Sequence, residues 1–197
     1  MPYYKGMETR GILQFVLFLL LNSCSTSEHL QFNSVVMDGS IARFASELTK
    51  QGFSLSDSSK TGQIILLGEF LNKECRIGVF GTGKNQLTYK IVVQLPGEVP
   101  DSLQYSFGKL QQLYASKYGN GTSRYQKYKK RDRLLFNEPG LTREIRVGDF
   151  TKYTTTSGNI TIEVKEGHIS ITYLDKQNDA IRVRETDIKS PKENFPS

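Results

Sequence analysis

Ile160-Thr161-Ile162-Glu163-Val164-Lys165-Glu166-Gly167-His168-Ile169-Ser170-Ile171-Thr172-Tyr173-Leu174 alternates apolar and polar residues on both sides of Glu166-Gly167. Ile160, Ile162 and Val164 run up to that dipeptide, and Ile169, Ile171 and Tyr173 run away from it. A period of two puts each apolar set on one face of an extended strand. Two such runs joined by a short turn containing Gly read as a β-hairpin. The sheet it belongs to has one apolar face, which another layer must cover.

The same grammar extends toward the N-terminus. Leu87, Tyr89, Ile91, Val93 and Leu95 alternate with polar or smaller neighbours, as do Cys75, Ile77 and Val79, and Ile64 to Leu67 form a continuous apolar run. The connectors Asn72-Lys73-Glu74 and Gly81-Thr82-Gly83-Lys84-Asn85 have hairpin length and turn chemistry. Ahead of these strands, His29 to Met37 reads as extended, and Asp38-Gly39-Ser40 supplies a helix cap. Ile41, Phe44, Ala45 and Leu48 then make one face of a helix that Gly52 stops.

Pro96-Gly97-Glu98-Val99-Pro100 marks an internal boundary, after which the pattern restarts. Asp101 or Ser102 caps a helix carrying Leu103, Phe107, Leu110 and Tyr114, which ends at Tyr118-Gly119. Strands are expected over Thr122 to Lys130, Leu134 to Phe136, Glu144 to Val147 and the hairpin above. The fold class is therefore α+β. It is expected as two tandem units of one helix plus antiparallel sheet (αβββ-like), at 29–96 and 97–189, with the helices on one face. Residues 190–197, polar with two prolines, read as a disordered tail.

The N-terminus carries an address. Lys5 and Arg10 precede an apolar run from Ile12 to Leu21, too short for a bilayer that needs ~20 residues, and small residues follow. Residues 1–23 read as a signal peptide. Leu21-Asn22-Ser23-Cys24 resembles the lipobox of bacterial lipoproteins, so Cys24 is the expected lipid attachment site and 24–28 a spacer. The expected location is the cell envelope, as an outer-membrane lipoprotein, or the periplasm if Cys24 is removed. The net charge is +6, with 37% apolar and 11% aromatic residues, ten Tyr, eleven Phe and no Trp. That composition describes a folded chain with a core of Phe, Leu, Ile and Val rather than disorder. Its modest positive charge favours anionic partners without specifying one.

His29-Leu30-Gln31-Phe32, Asp38-Gly39-Ser40, Phe44-x3-Leu48-x3-Gly52-Phe53, Gly68-x-Phe70-x4-Cys75-x-Ile77-x-Val79 and Tyr114-x3-Tyr118-Gly119 together resemble a group of exported proteins of Bacteroides-type gut bacteria. The resemblance spans roughly 29–174 and rests on caps, helix stops and strand cores. It implies export and a duplicated helix-plus-sheet unit, similar in topology to β-lactamase-inhibitor proteins, and it transfers no site residue. Fold analogy of this kind carries no function.

Catalytic chemistry is sparse. Gly81-x-Gly83-Lys84 lacks phosphate-loop spacing and a following helix, so it reads as a turn. His29, His168 and Cys75 form no local nucleophile motif, and Cys75 in a strand pattern reads as buried. No spacing matches a metal site. Asp101-Ser102-Leu103 resembles a short O-glycan acceptor.

The densest feature is Arg124, Tyr125, Lys127, Tyr128, Lys129, Lys130, Arg131 and Arg133, a candidate anion-binding stretch whose rings could stack on sugars or bases. A solvated, lysine-protected hairpin explains the same residues. The expected function is a non-enzymatic exported binding module with no cofactor. It is held to the membrane through lipidated Cys24 and has an envelope protein or glycan, not nucleic acid, as partner. The alternatives are a secreted inhibitor of an extracytoplasmic enzyme and an anionic glycan or lipid binder through 124–133.

Overall fold

The computed structural model describes residues 28–58, 62–124 and 148–189. It is an α+β fold whose main sheet has eight strands: β3 (Ser54–Asp57), β4 (Gln63–Phe70), β5 (Lys73–Gly81), β6 (Thr88–Gln94), β7 (Thr122–Arg124), β8 (Phe150–Thr154), β9 (Gly158–Lys165) and β10 (His168–Asp175). Their order is β3-β4-β5-β6-β10-β9-β8-β7, antiparallel throughout. A separate two-stranded hairpin, β1 (Gln31–Phe32) and β2 (Val35–Val36), precedes it. The helices are α1 (Ile41–Lys50), α2 (Pro100–Tyr118) and α3 (Lys176–Lys189).

The β9–β10 hairpin forms as the alternation requires. Glu166 (φ 46°) and Gly167 (φ 81°) make the two-residue turn, and His168 pairs with Lys165. Both central residues have positive φ, the backbone hand that matches the twist of the flanking strands. Register then aligns Val79, Ile91, Tyr173 and Ile160 across β5, β6, β10 and β9, and likewise Ile77, Val93, Ile171 and Ile162. Opposed residues of antiparallel strands share a face. All eight are buried, as are Phe44 and Leu48 of α1 and Leu103, Phe107, Leu110 and Tyr114 of α2, and they form one core. Each fully buried aliphatic side chain contributes roughly 1.5–3 kcal/mol.

Ser40 caps α1 through its Oγ, which accepts the Arg43 N–H at 3.3 Å, and Gly52 (φ 97°) follows the last turn. Helix α2 differs from expectation at its start. Val99 occupies the cap position with no side-chain bond, and neither Asp101 nor Ser102 serves as cap. Pro100 stands at the first helical position, where its missing N–H costs nothing, so the helix begins ahead of both residues.

Other differences share a physical logic. His29 to Met37 is not one extended segment, because Asn33 (φ 49°) and Ser34 (φ 65°) fold it into the β1–β2 hairpin. The β4–β5 turn is Leu71-Asn72, with Lys73 and Glu74 already in the strand. Strand β3 is polar and exposed, so it carries no alternation to read. Of the strand expected over Thr122 to Lys130, Thr122–Arg124 forms β7 and the remainder lies outside the described residues. Leu134 to Phe136 and Glu144 to Val147 lie outside the described residues, as does the tail.

Helix α3 was not anticipated, and polar bonds anchor it. Asp175, fully buried, accepts the Asn178 N–H at 2.9 Å and the Leu30 N–H at 2.8 Å, with His29 Nδ1 at 3.2 Å. Asn178 donates to the Met37 and Thr88 carbonyls at 2.7 and 2.9 Å. One carboxylate and one amide thus tie the N-terminal hairpin, β6, β10 and α3 together. Among the described residues no helix is long and apolar enough to cross a membrane.

Candidate functional site

Most residues of the expected anion-binding stretch lie outside the described residues: Tyr125, Lys127, Tyr128, Lys129, Lys130, Arg131 and Arg133. Cys24 does too. Arg124 is described; it is exposed at the end of β7, opposite Phe150 of β8.

Cys75 and His168 border one cleft of about 790 Å³ at an end of the sheet, with Arg76, Gln94 and Glu166. Their spacing in the chain does not bring them together; strand order does, because β5, β6 and β10 are neighbours. Cys75 is 6% exposed, and burial pushes its thiol up to about 11. Roughly one thiol in ten thousand is then ionised at neutral pH, so it is a core residue rather than a nucleophile. His168 Nε2 is buried without a hydrogen-bond partner among the described residues. His29 belongs to the Asp175 hub. No group of three His, Cys, Asp or Glu among the described residues could hold a metal ion.

A second constellation lies on the other face of the sheet. There Arg76, Gly78 and Phe80 of β5 oppose Gln94, Val92 and Lys90 of β6, which in turn oppose Ser170, Thr172 and Leu174 of β10. Arg76 and Gln94 are exposed, while Phe80, Lys90, Val92, Thr172 and Leu174 are half-buried. Phe80 lies flat because Gly78 leaves room, where a Cβ would come within 2.9 Å of the ring. A β-bulge between Phe80 and Gly81 skips Tyr89 in the pairing, placing Tyr89 beside Lys90. Lys90 Nζ sits 4.2 Å from the Phe80 centroid and 5.7 Å from that of Tyr89. Arg182 of α3 covers Tyr89 from 5.1 Å and bonds Asp179 at 2.7 Å through Nε.

Burial, and then repulsion by Arg182, lower the Lys90 pKa, while Asp179 opposes them. Each cation–ring contact contributes about 0.5–1 kcal/mol at such partly exposed positions. None of the described carboxylates lies within ion-pair distance of Lys90. Lys90 and Arg182 thus lie over two rings on a partly desolvated surface, with Asp179 paired to Arg182. Sequence reasoning missed this site because Lys90 and Arg182 are remote in the chain, and only the bulge and α3 join them.

A third feature is an apolar groove of about 1020 Å³ between α2 and the Leu71-Asn72 turn. Its rim is apolar and exposed: Leu71 46%, Val99 68%, Tyr105 63% and Leu113 47%. Lys73 Nζ, Glu98 and the Ser106 hydroxyl bond one another within its wall. Comparison of the chain with protein-family models, with curated proteins and with solved structures gives no match.

Proposed function

We propose that this chain is an exported, non-enzymatic binding module that takes an acidic ligand, a glycan or an acidic protein surface, on the second face of its sheet. The observation that carries the reading is the Phe80–Tyr89–Lys90–Arg182 cluster, where two cations are held over rings and Lys90 has no carboxylate within ion-pair distance among the described residues. Cations and aromatic rings side by side suit the carboxylates or sulfates and the apolar ring faces of acidic sugars. The strand order supports a second element of the proposal, a duplicated unit. Helix α1 is followed by the meander β3–β6 and α2 by the meander β7–β10, with the last strands, β6 and β10, adjacent.

Attachment through a lipidated Cys24 completes the reading. It would hold the module at an envelope surface, where acidic glycans are concentrated. Any anion bound by residues 124–133 would add to this surface rather than replace it.

The test is retention of the full chain on a sulfated or uronate oligosaccharide. Lys90→Glu with Arg182→Glu should weaken binding at least tenfold at low salt, a difference that shrinks as salt screens the charges. Unchanged retention at low salt would overturn the reading. Attachment is tested separately by the mass of the mature N-terminus with and without globomycin. An unmodified terminus at Thr26 would refute it.

A further inference from the structure

We infer that α2 is the dimerisation element of this protein and that a second copy of the chain fills the apolar groove beside it. The inference is independent of the anion-binding face. Helix α2 has two stripes. Leu103, Phe107, Leu110 and Tyr114 point into the core, whereas Asp101, Tyr105, Lys109 and Leu113, each four residues on, form an exposed ridge. Lys109 Nζ lies 4.5 Å from the Tyr105 ring and holds it along the ridge. Ridges of i±4 residues are the commonest surfaces by which helices pack.

The ridge is complementary to itself. Asp101 stands four residues before Tyr105 and Lys109 four residues after it. In an antiparallel pair crossing at Tyr105, each Asp101 faces the Lys109 of the other copy, and the two tyrosines meet. A parallel pair would set Asp101 on Asp101. The charges therefore select the antiparallel arrangement of the two-fold pair, one geometry of an isologous dimer. Each Tyr105 ring then has the other copy's groove beside it, and a buried tyrosine is a common interface anchor.

One oddity of the chain falls into place. Gly108 interrupts the helix interior, where it costs about 1 kcal/mol relative to Ala, yet a Cβ there would meet nothing within 4 Å. Nothing among the described residues requires that glycine. In the antiparallel pair Gly108 faces Ser102 of the other copy, and the small residues let the helices approach closely. Leu71, whose positive φ (54°) is that of the two-residue β4–β5 turn, holds an apolar side chain 46% exposed at the groove rim.

The test is sedimentation velocity of the full chain carrying Asp101→Lys, Lys109→Asp, or both. Each single change should weaken self-association at least tenfold, and the double reversal should restore it. An equimolar mixture of the two single variants should form a heterodimer. Circular dichroism checks that each variant folds, and oligosaccharide retention, which the dimer does not need, should stay unchanged in all three. A wild-type chain that sediments as a monomer at every concentration overturns the dimer and leaves the anion-binding reading standing. A dimer that both single changes leave intact overturns the assignment to α2.

Discussion

Replacing Asp175 by Ala should be the most damaging single polar substitution in this fold. The carboxylate is fully buried and accepts two backbone N–H groups, Leu30 at 2.8 Å and Asn178 at 2.9 Å. Alanine leaves both donors without their acceptor, and an unsatisfied buried donor costs about 1–3 kcal/mol. The sum is about 2–6 kcal/mol, part of which is the lost helix cap of α3. At roughly 2–4 °C per kcal/mol for a domain of this size, the midpoint of thermal unfolding falls by about 4–24 °C. Asp175→Asn keeps one acceptor oxygen but turns an amide N–H₂ toward the other donor, so its loss should be smaller than that of Ala. Urea unfolding of the full chain, followed by circular dichroism, measures both. A loss below about 0.5 kcal/mol for the alanine variant, a size typical of surface changes, would refute the hub.

Two further outcomes follow from buried groups. Tyr114 and Tyr173 share a buried hydroxyl–hydroxyl bond, and burial raises both phenol pKa values above the ordinary value. The folded state thus holds protons that the unfolded chain releases from about pH 10 upward. Stability is complete below that pH and declines as pH rises beyond it. Tyr173→Phe should flatten the decline between pH 10 and 12 in urea titrations, and an unchanged slope would disprove the assignment. Cys75, with its thiol pushed up to about 11, should resist an aromatic disulfide reagent at pH 7.5 in native buffer and react at once in urea. Equal rates in the two conditions would place the thiol at the surface.

What the sequence made legible is what local periodicity controls. The Ile160–Leu174 hairpin could be read because period-two burial and a Gly-containing turn coincide, and α1 because Ser40, an apolar stripe and Gly52 fall in order. Helix α3 escaped because Lys176–Lys189 has no dominant apolar stripe. Asp175 and Asn178 hold it instead, and their partners Leu30, Met37 and Thr88 are remote in the chain. Strand β3 escaped for the opposite reason: all four of its residues are exposed, and only pairing with β4 makes it a strand. The basic stretch 124–133 stands out in the sequence because six cations fall within ten residues. Lys90 and Arg182, with no such density, became a site only through a bulge and a helix joining them.

The two proposed surfaces constrain one another. The buried stripe of α2 belongs to the core with Ile77, Val93 and Ile171, whereas Lys90 lies on the opposite face of the same sheet. A dimer through the outer ridge of α2 therefore leaves each cation–aromatic cluster open. Two of the proposed anion sites on one assembly would bind a repeating acidic polymer together, and such linkage raises apparent affinity by about 10²–10⁴ when the geometry allows both to engage. If each cluster holds an acidic group weakly, as proposed, a dimer would retain a polymer that a monomer releases. The proposed lipidation of Cys24 would add to the same effect in both copies, because membrane residence grows steeply with the number of acyl chains. On this reasoning Tyr105→Ala, a substitution on the far side of the sheet from Lys90, weakens retention on a long acidic polymer while leaving a single-site oligosaccharide unaffected.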